Sequence, residues 1–161
     1  MQVIFLDIDG VLNIYSPSYH SAMLQSDGST KWMEFHLIQR LHYLLEKTGA
    51  EIVISSSWRG DMDDLKKQLE KNGFKYWNRV QGRTGFANKH RGQQILDYLG
   101  DHKEITGYVI LEDEPQDICG EKCNIIDEAF VVQVDMQVGL SHKDIILAKN
   151  ILYKQEKQCL V

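Results

Sequence analysis

Short apolar runs, each closed by polar or small residues, set the rhythm of the chain. Residues 3–6 (VIFL), 52–55 (IVIS) and 108–111 (YVIL) are too short for buried helices and read as strands buried on both faces, and 130–134 is a fourth run of this kind. Between them the apolar positions switch to helical spacing. In 34–48, Leu37, Ile38, Leu41, Leu44 and Leu45 recur at three- and four-residue intervals, and Gly49 stands where a helix closes in the left-handed conformation. Asp61 is placed to cap a helix that carries Leu65 and Leu69 to Gly73, with Asp63 and Asp64 favourably set in its first turn. A further helix starts at Arg91 or Gly92, uses Ile95, Leu96 and Leu99, and is expected to stop at Gly100. The last opens after Ser141, with Asp144 three residues on as the partner of a capping box. Strands alternating with helices predict an α/β fold, a Rossmann-like parallel sheet between two helix layers. Right-handed crossovers then place Asp7, Ser55 and Asp113 along one edge of that sheet.

Two segments break the pattern. Residues 13–33 have no period and contain Pro17 and Gly28, the mark of a surface excursion of the kind that often carries function. Residues 74–90, with Gly82 and Gly85, read as loop or short strand. The 161 residues, 43% hydrophobic, suit one domain spanning 1–161 with one site. No apolar run approaches the ~18 residues of a membrane span. Asp7 and Asp9 stand where a signal peptide would be apolar, so the expectation is a soluble, cytoplasmic protein with no membrane partner. Cys119, Cys123 and Cys159 are odd in number and read as reduced thiols, and CGEKC alone supplies too few ligands to predict zinc.

Net charge is −5, but Lys71, Lys75, Arg79, Arg83, Lys89 and Arg91 place six positive charges and no acid within 71–91, leaving −11 elsewhere. Phe74, Tyr76, Trp77 and Phe86 are interleaved with these cations. Such a segment fits either a solvated face or a groove for a single-stranded nucleic acid end, with Arg79 and Arg83 meeting its phosphates.

Ligands bind such sheets at the carboxyl ends of the strands, where this chain carries DID, SSS and EDEPQD. Asp7 and Asp9, one residue apart in extended chain, direct their carboxyl groups the same way, and Gly10 permits the turn that follows. Gathered with Glu112, Asp113 and Asp117, they would repel one another without a cation. An all-oxygen ligand set suits Mg²⁺. Ser55, Ser56 and Ser57 could bind phosphate or satisfy backbone groups at a strand end. The six histidines show no metal-ligand spacing, with His90 alone placed near a substrate, and the three tryptophans read as packing residues.

VIFLDIDGVLN resembles the first motif of the haloacid dehalogenase-like (HAD) superfamily, DxDG on a buried first strand. IVIS resembles its second motif and YVILEDEPQD its fourth. The combination of FLDIDGVLN, ISSSWR, RGQQI, VILEDE and a late VGLS is similar to the small HAD domains of RNA-repair proteins. The resemblance implies a phosphatase acting through an aspartyl-phosphate, with Asp7 as nucleophile, Asp9 as acid and base, and Ser55 on a phosphoryl oxygen. It implies Mg²⁺ held by Asp7, the Asp9 carbonyl and Asp113, with Asp117 or Glu112 acting through water. The resemblance implies Arg91 or Lys89 as the third motif's cation. Neither inter-motif gap holds a full cap domain, so an open site for a large phosphorylated substrate is expected. Two other readings of the same fold are a phospho-accepting signalling module and a non-catalytic binding module.

Overall fold

The computed structural model describes residues 1–14, 33–87, 90–119 and 126–158, without the side chains of Asp117, Cys119 and Gln158. Most of the 13–33 excursion, Lys89, Cys123 and Cys159 therefore lie outside the described residues, as does the Asp117 side chain.

Five parallel strands form one sheet: β1 (Gln2–Leu6), β2 (Glu51–Ile54), β3 (Val80–Arg83), β4 (Gly107–Glu112) and β5 (Val131–Gln133), in the order β3-β2-β1-β4-β5. Strand alternation divides the core in two. Ile4, Leu6, Ile52, Ile54, Val109 and Leu111 face one side and pack with α1 (Phe35–Thr48), α2 (Met62–Lys71) and α5 (His142–Gln158). Val3, Phe5, Val53 and Ile110 face the other, where α3 (Arg91–Asp101) brings Ile95 and the single-turn α4 (Gln116–Cys119) brings Ile118. The register sets Ile4 between Ile52 and Val109, so like faces align across three strands. The predicted Rossmann-like layers are present.

The helix boundaries follow local chemistry. The carboxylate of Asp61 accepts from Asp64 N–H at 2.9 Å. Gly49 closes α1 at φ 68°, its N–H on the Leu45 carbonyl at 2.9 Å. Ser141 and Asp144 form the reciprocal box, 2.8 Å from Ser141 N–H to Asp144 Oδ2 and 3.3 Å from Asp144 N–H to Ser141 Oγ. Two expectations are corrected. Helix α3 runs through Gly100 to Asp101, because that glycine is exposed and has no positive φ to break the helix. β5 begins at Val131, because Phe130 closes a turn over Glu128–Phe130 capped by the Asp127 carboxylate.

β1 is central, and its neighbours β2 and β4 lead to opposite sides of the sheet. The carboxyl end beside β1 is thus the switch point where α/β sheets open a crevice. Extra backbone bonds carry the sheet one residue past the strands, from Asp7 N–H to Leu111 O (3.1 Å), Ser55 N–H to Leu6 O (3.0 Å) and Thr84 N–H to Ile54 O (3.0 Å). The residues at that edge stand on a rigid base.

Candidate active site

Asp7 is only 4% exposed, and both its oxygens are held: Oδ1 accepts from Ile8 N–H at 2.8 Å and Oδ2 from Arg91 Nη1 at 3.0 Å. The chain then turns tightly, with Val11 and Leu12 N–H on the Ile8 carbonyl and Gly10 at φ 67°. An added Cβ on Gly10 would run into the Asp113 carboxylate, so the loop after β1 and the residue after β4 meet only because position 10 has no side chain. Asn13 fixes the loop from inside, accepting from Gly10 N–H at 2.8 Å and donating from Nδ2 to Asp9 Oδ1 at 2.9 Å. The exposed Asp9 receives a second donor on Oδ2, the indole N–H of Trp58, at 2.9 Å.

β4 ends in the fully buried Glu112, followed by the half-buried Asp113. One oxygen from each of Asp7, Glu112 and Asp113 lies within 4.8 Å of the others. The same Arg91 Nη1 that holds Asp7 also donates to Glu112 Oε2. Burial pushes the Glu112 carboxyl up to about 9, with Asp7 adding to the rise and Arg91 opposing it. Burial and then Asp7 raise Asp113 as well. Burial works against the charge on Arg91, but Asp7 and Glu112 outweigh it and raise its pKa. Even with the Glu112 carboxyl neutral, Asp7 and Asp113 outnumber the one guanidinium in a partly dry site, and all the donors are oxygens. These residues fit a hard divalent cation.

Arg91 opens α3, and Gly92 explains how it gets so deep. A Cβ at Gly92 would collide with the Ile118 carbonyl, so α3 docks on α4 only with glycine there. At the end of β2 the three serines part company. Ser56 Oγ accepts from Trp58 N–H at 3.3 Å and caps the turn Ser57–Gly60, Ser57 is exposed, and the buried Ser55 Oγ has no partner among the described residues. Arg59 ties this turn down, donating from Nη1 to the Ser56 carbonyl at 2.7 Å and from Nη2 to Gln94 Oε1 at 2.8 Å.

Of the residues predicted from sequence, Asp7, Glu112 and Asp113 cluster together, Arg91 contacts Asp7 and Glu112, Asp9 is fixed on the loop that follows Asp7, and Ser55 stands at the next strand end. A family model for the HAD domain in Swiss Army Knife RNA repair proteins matches residues 3–145. The chain belongs to this family. No curated protein matches the sequence. HAD domains are generally hydrolases and phosphatases, which makes a phosphohydrolase-type function the family expectation for this HAD domain. Among its described residues no helix is long and apolar enough to cross a membrane.

The basic segment of the HAD domain is used differently from its composition. Arg79 donates to the Leu45 carbonyl at 2.9 Å, tying the end of α1 to the strand layer, and Arg83 donates to the Arg59 carbonyl. Phe74 is in the core, Tyr76 and Trp77 pack against it, and Phe86 is 56% exposed beneath the guanidinium groups of Arg59 and Arg83. Sequence reasoning missed Trp58, Asn13 and Arg59. All three lie inside the quoted strings FLDIDGVLN and ISSSWR, the one signal that could have singled them out.

Proposed function

We propose that this HAD domain is a Mg²⁺-dependent phosphomonoester hydrolase that passes through an aspartyl-phosphate on Asp7 and takes the phosphorylated end of a large substrate into an open site. The observation that carries the reading is the single Arg91 guanidinium bridging Asp7 and Glu112 beside Asp113 at the carboxyl edge of the sheet.

Asp7, held at both oxygens, attacks phosphorus, and the bond to the leaving oxygen breaks. A proton on the Asp9 carboxyl passes to that oxygen. Water then attacks the acyl phosphate, gives its proton back to Asp9 and frees inorganic phosphate, restoring both carboxyl groups. Arg91 offers its remaining N–H groups to the phosphoryl oxygens. Ser55, buried with a hydroxyl that has no partner among the described residues, gains an acceptor when a phosphoryl oxygen arrives. Mg²⁺, when bound by Asp7, Asp113, Glu112 and the Asp9 carbonyl, supplies positive charge to the transferring group, with Asp117 the further candidate acting through water.

An open site is supported by the use made of residues 58–87: a turn, α2 and β3 built into the sheet and its layer, with no added domain. Arg79 and Arg83 are engaged with backbone carbonyls, so the feature that supports a single-stranded nucleic acid end as the substrate is the exposed Phe86 beneath the Arg59 and Arg83 guanidinium groups. Phosphate release is measured over phosphorylated oligonucleotides, nucleotides and aryl phosphates, with Mg²⁺ or EDTA. The expected result is Mg²⁺-dependent release abolished by Asp7→Asn, with oligonucleotide turnover falling as salt rises. Release that Asp7→Asn leaves untouched, or none from any substrate, overturns the proposal.

A further inference from the structure

Asp9 is exposed, yet neither of its oxygens is left to water alone. Asn13 holds Oδ1 from its own loop, and Trp58 reaches Oδ2 from the end of β2. The second tether is itself well anchored. Trp58 sits in the turn Ser57–Gly60, capped by Ser56 Oγ, and Arg59 binds the Ser56 carbonyl, the Gly85 carbonyl at 3.3 Å and Gln94. The indole also packs against the larger core cluster. An aspartate's terminal torsion is broad, so an exposed carboxyl without such donors rotates freely. A carboxylate has about four acceptor positions. With one donor on each oxygen, Asp9 keeps a lone pair on both for proton exchange while its plane is fixed.

We infer that Trp58 is a positioning residue for Asp9: its indole N–H, paired with the Asn13 amide, sets the rotation of the carboxyl that delivers a proton to the leaving oxygen. The inference rests on the phosphatase reading above. In the first step the Asp7 oxygen bonds to phosphorus, the phosphorus–leaving-oxygen bond breaks, and the Asp9 proton moves to the departing oxygen. A leaving group that is stable as an anion needs that proton little, whereas a sugar hydroxyl needs it fully. Loss of positioning therefore acts selectively on poor leaving groups, and a purely structural role does not.

The test compares wild type, Trp58→Phe and a variant with 3-benzothienylalanine at position 58, which keeps the two-ring shape and lacks only the N–H. Substrates are 4-nitrophenyl phosphate and a terminally phosphorylated oligonucleotide. With general acid catalysis contributing roughly 10²–10⁴-fold, partial misplacement is expected to lower kcat about tenfold on the oligonucleotide, with KM unchanged, and less than about twofold on the nitrophenyl ester. Equal losses on both substrates, or full activity of the benzothienyl variant on both, overturn the role of Trp58 while leaving the phosphatase reading intact. No hydrolysis of either by wild type overturns both. On the protein alone, the Trp58 indole proton resonance is expected to move upfield in Asp9→Ala, and an unmoved resonance overturns the contact.

Discussion

Replacing Gly10 by alanine separates backbone strain from metal binding, because Gly49 supplies a matched control. Both glycines are left-handed, at φ 67° and 68°. A Cβ at Gly49 has nothing within 4 Å, whereas one at Gly10 would stand 2.5 Å from Asp113 Cγ and 2.7 Å from its Cβ. Left-handed strain costs ~1–2 kcal/mol in either variant. In Gly49→Ala that is the whole effect, a fall in Tm of ~2–8 °C at ~2–4 °C per kcal/mol. In Gly10→Ala the Asp113 side chain must also retreat by roughly 1 Å to regain ordinary van der Waals contact, and its half-exposed position lets it swing toward solvent. Mg–oxygen bonds are ~2.1 Å long, so a retreat of that size removes the ligand. Mg²⁺ affinity is expected to fall at least ~10-fold, and turnover ~100-fold. Urea unfolding in EDTA measures the strain, and calorimetric titration with Mg²⁺ measures the affinity. A Gly10→Ala protein that binds Mg²⁺ like wild type, or a Gly49→Ala protein that loses its affinity, refutes the reasoning.

Arg91→Ala leaves the buried Asp7 without its counter-charge and Glu112 without its donor; since Arg91 keeps some solvent contact, the expected loss is ~2–3 kcal/mol in EDTA, partly recovered by Mg²⁺, as read by urea unfolding. Glu112, pushed up to about 9 from an ordinary 4.5, keeps its proton in the folded protein, which favours folding below about pH 4.5 and loses that advantage as pH climbs through about 9. The stability of Glu112→Gln relative to wild type in EDTA should therefore rise steadily from pH 5 to 9, and a flat difference in Tm would count against the buried-acid assignment. Arg79→Ala removes a charged donor from the Leu45 carbonyl and should cost ~1–3 kcal/mol in urea unfolding while Mg²⁺ affinity stays at the wild-type value.

What could be read from sequence was local. The close of α1 at Gly49, the Asp61 cap and the Ser141–Asp144 box each depend on a few neighbouring residues, and all three form as expected. The strand ends carrying Asp7 and Glu112 were legible because parallel connections leave little choice of edge. Contacts between distant segments were hidden. Trp58 looks like any partly buried tryptophan until the turn after β2 is set beside the loop after β1. Arg79 carries the same charge as a phosphate-binding arginine, yet its guanidinium meets a helix-end carbonyl 34 residues away. Nor could sequence choose between Glu112 and Asp117, or Arg91 and Lys89. The fold puts Glu112 and Arg91 in the cluster, while Lys89 and the Asp117 side chain lie outside the described residues.

The first strand made is the middle strand of the sheet. During synthesis β1 can pair with β2 once residue 54 has emerged, but its other edge waits for β4 at 107–112. Until then a row of backbone donors and acceptors stays open, a template for strays. Asp7 meanwhile lacks Glu112 and Asp113, so a product ending before β4 cannot assemble the acidic cluster. Because the closing pair is so far apart in sequence, assembly is governed by long-range closure, which slows folding. The chemistry is therefore withheld until nearly the whole sheet exists.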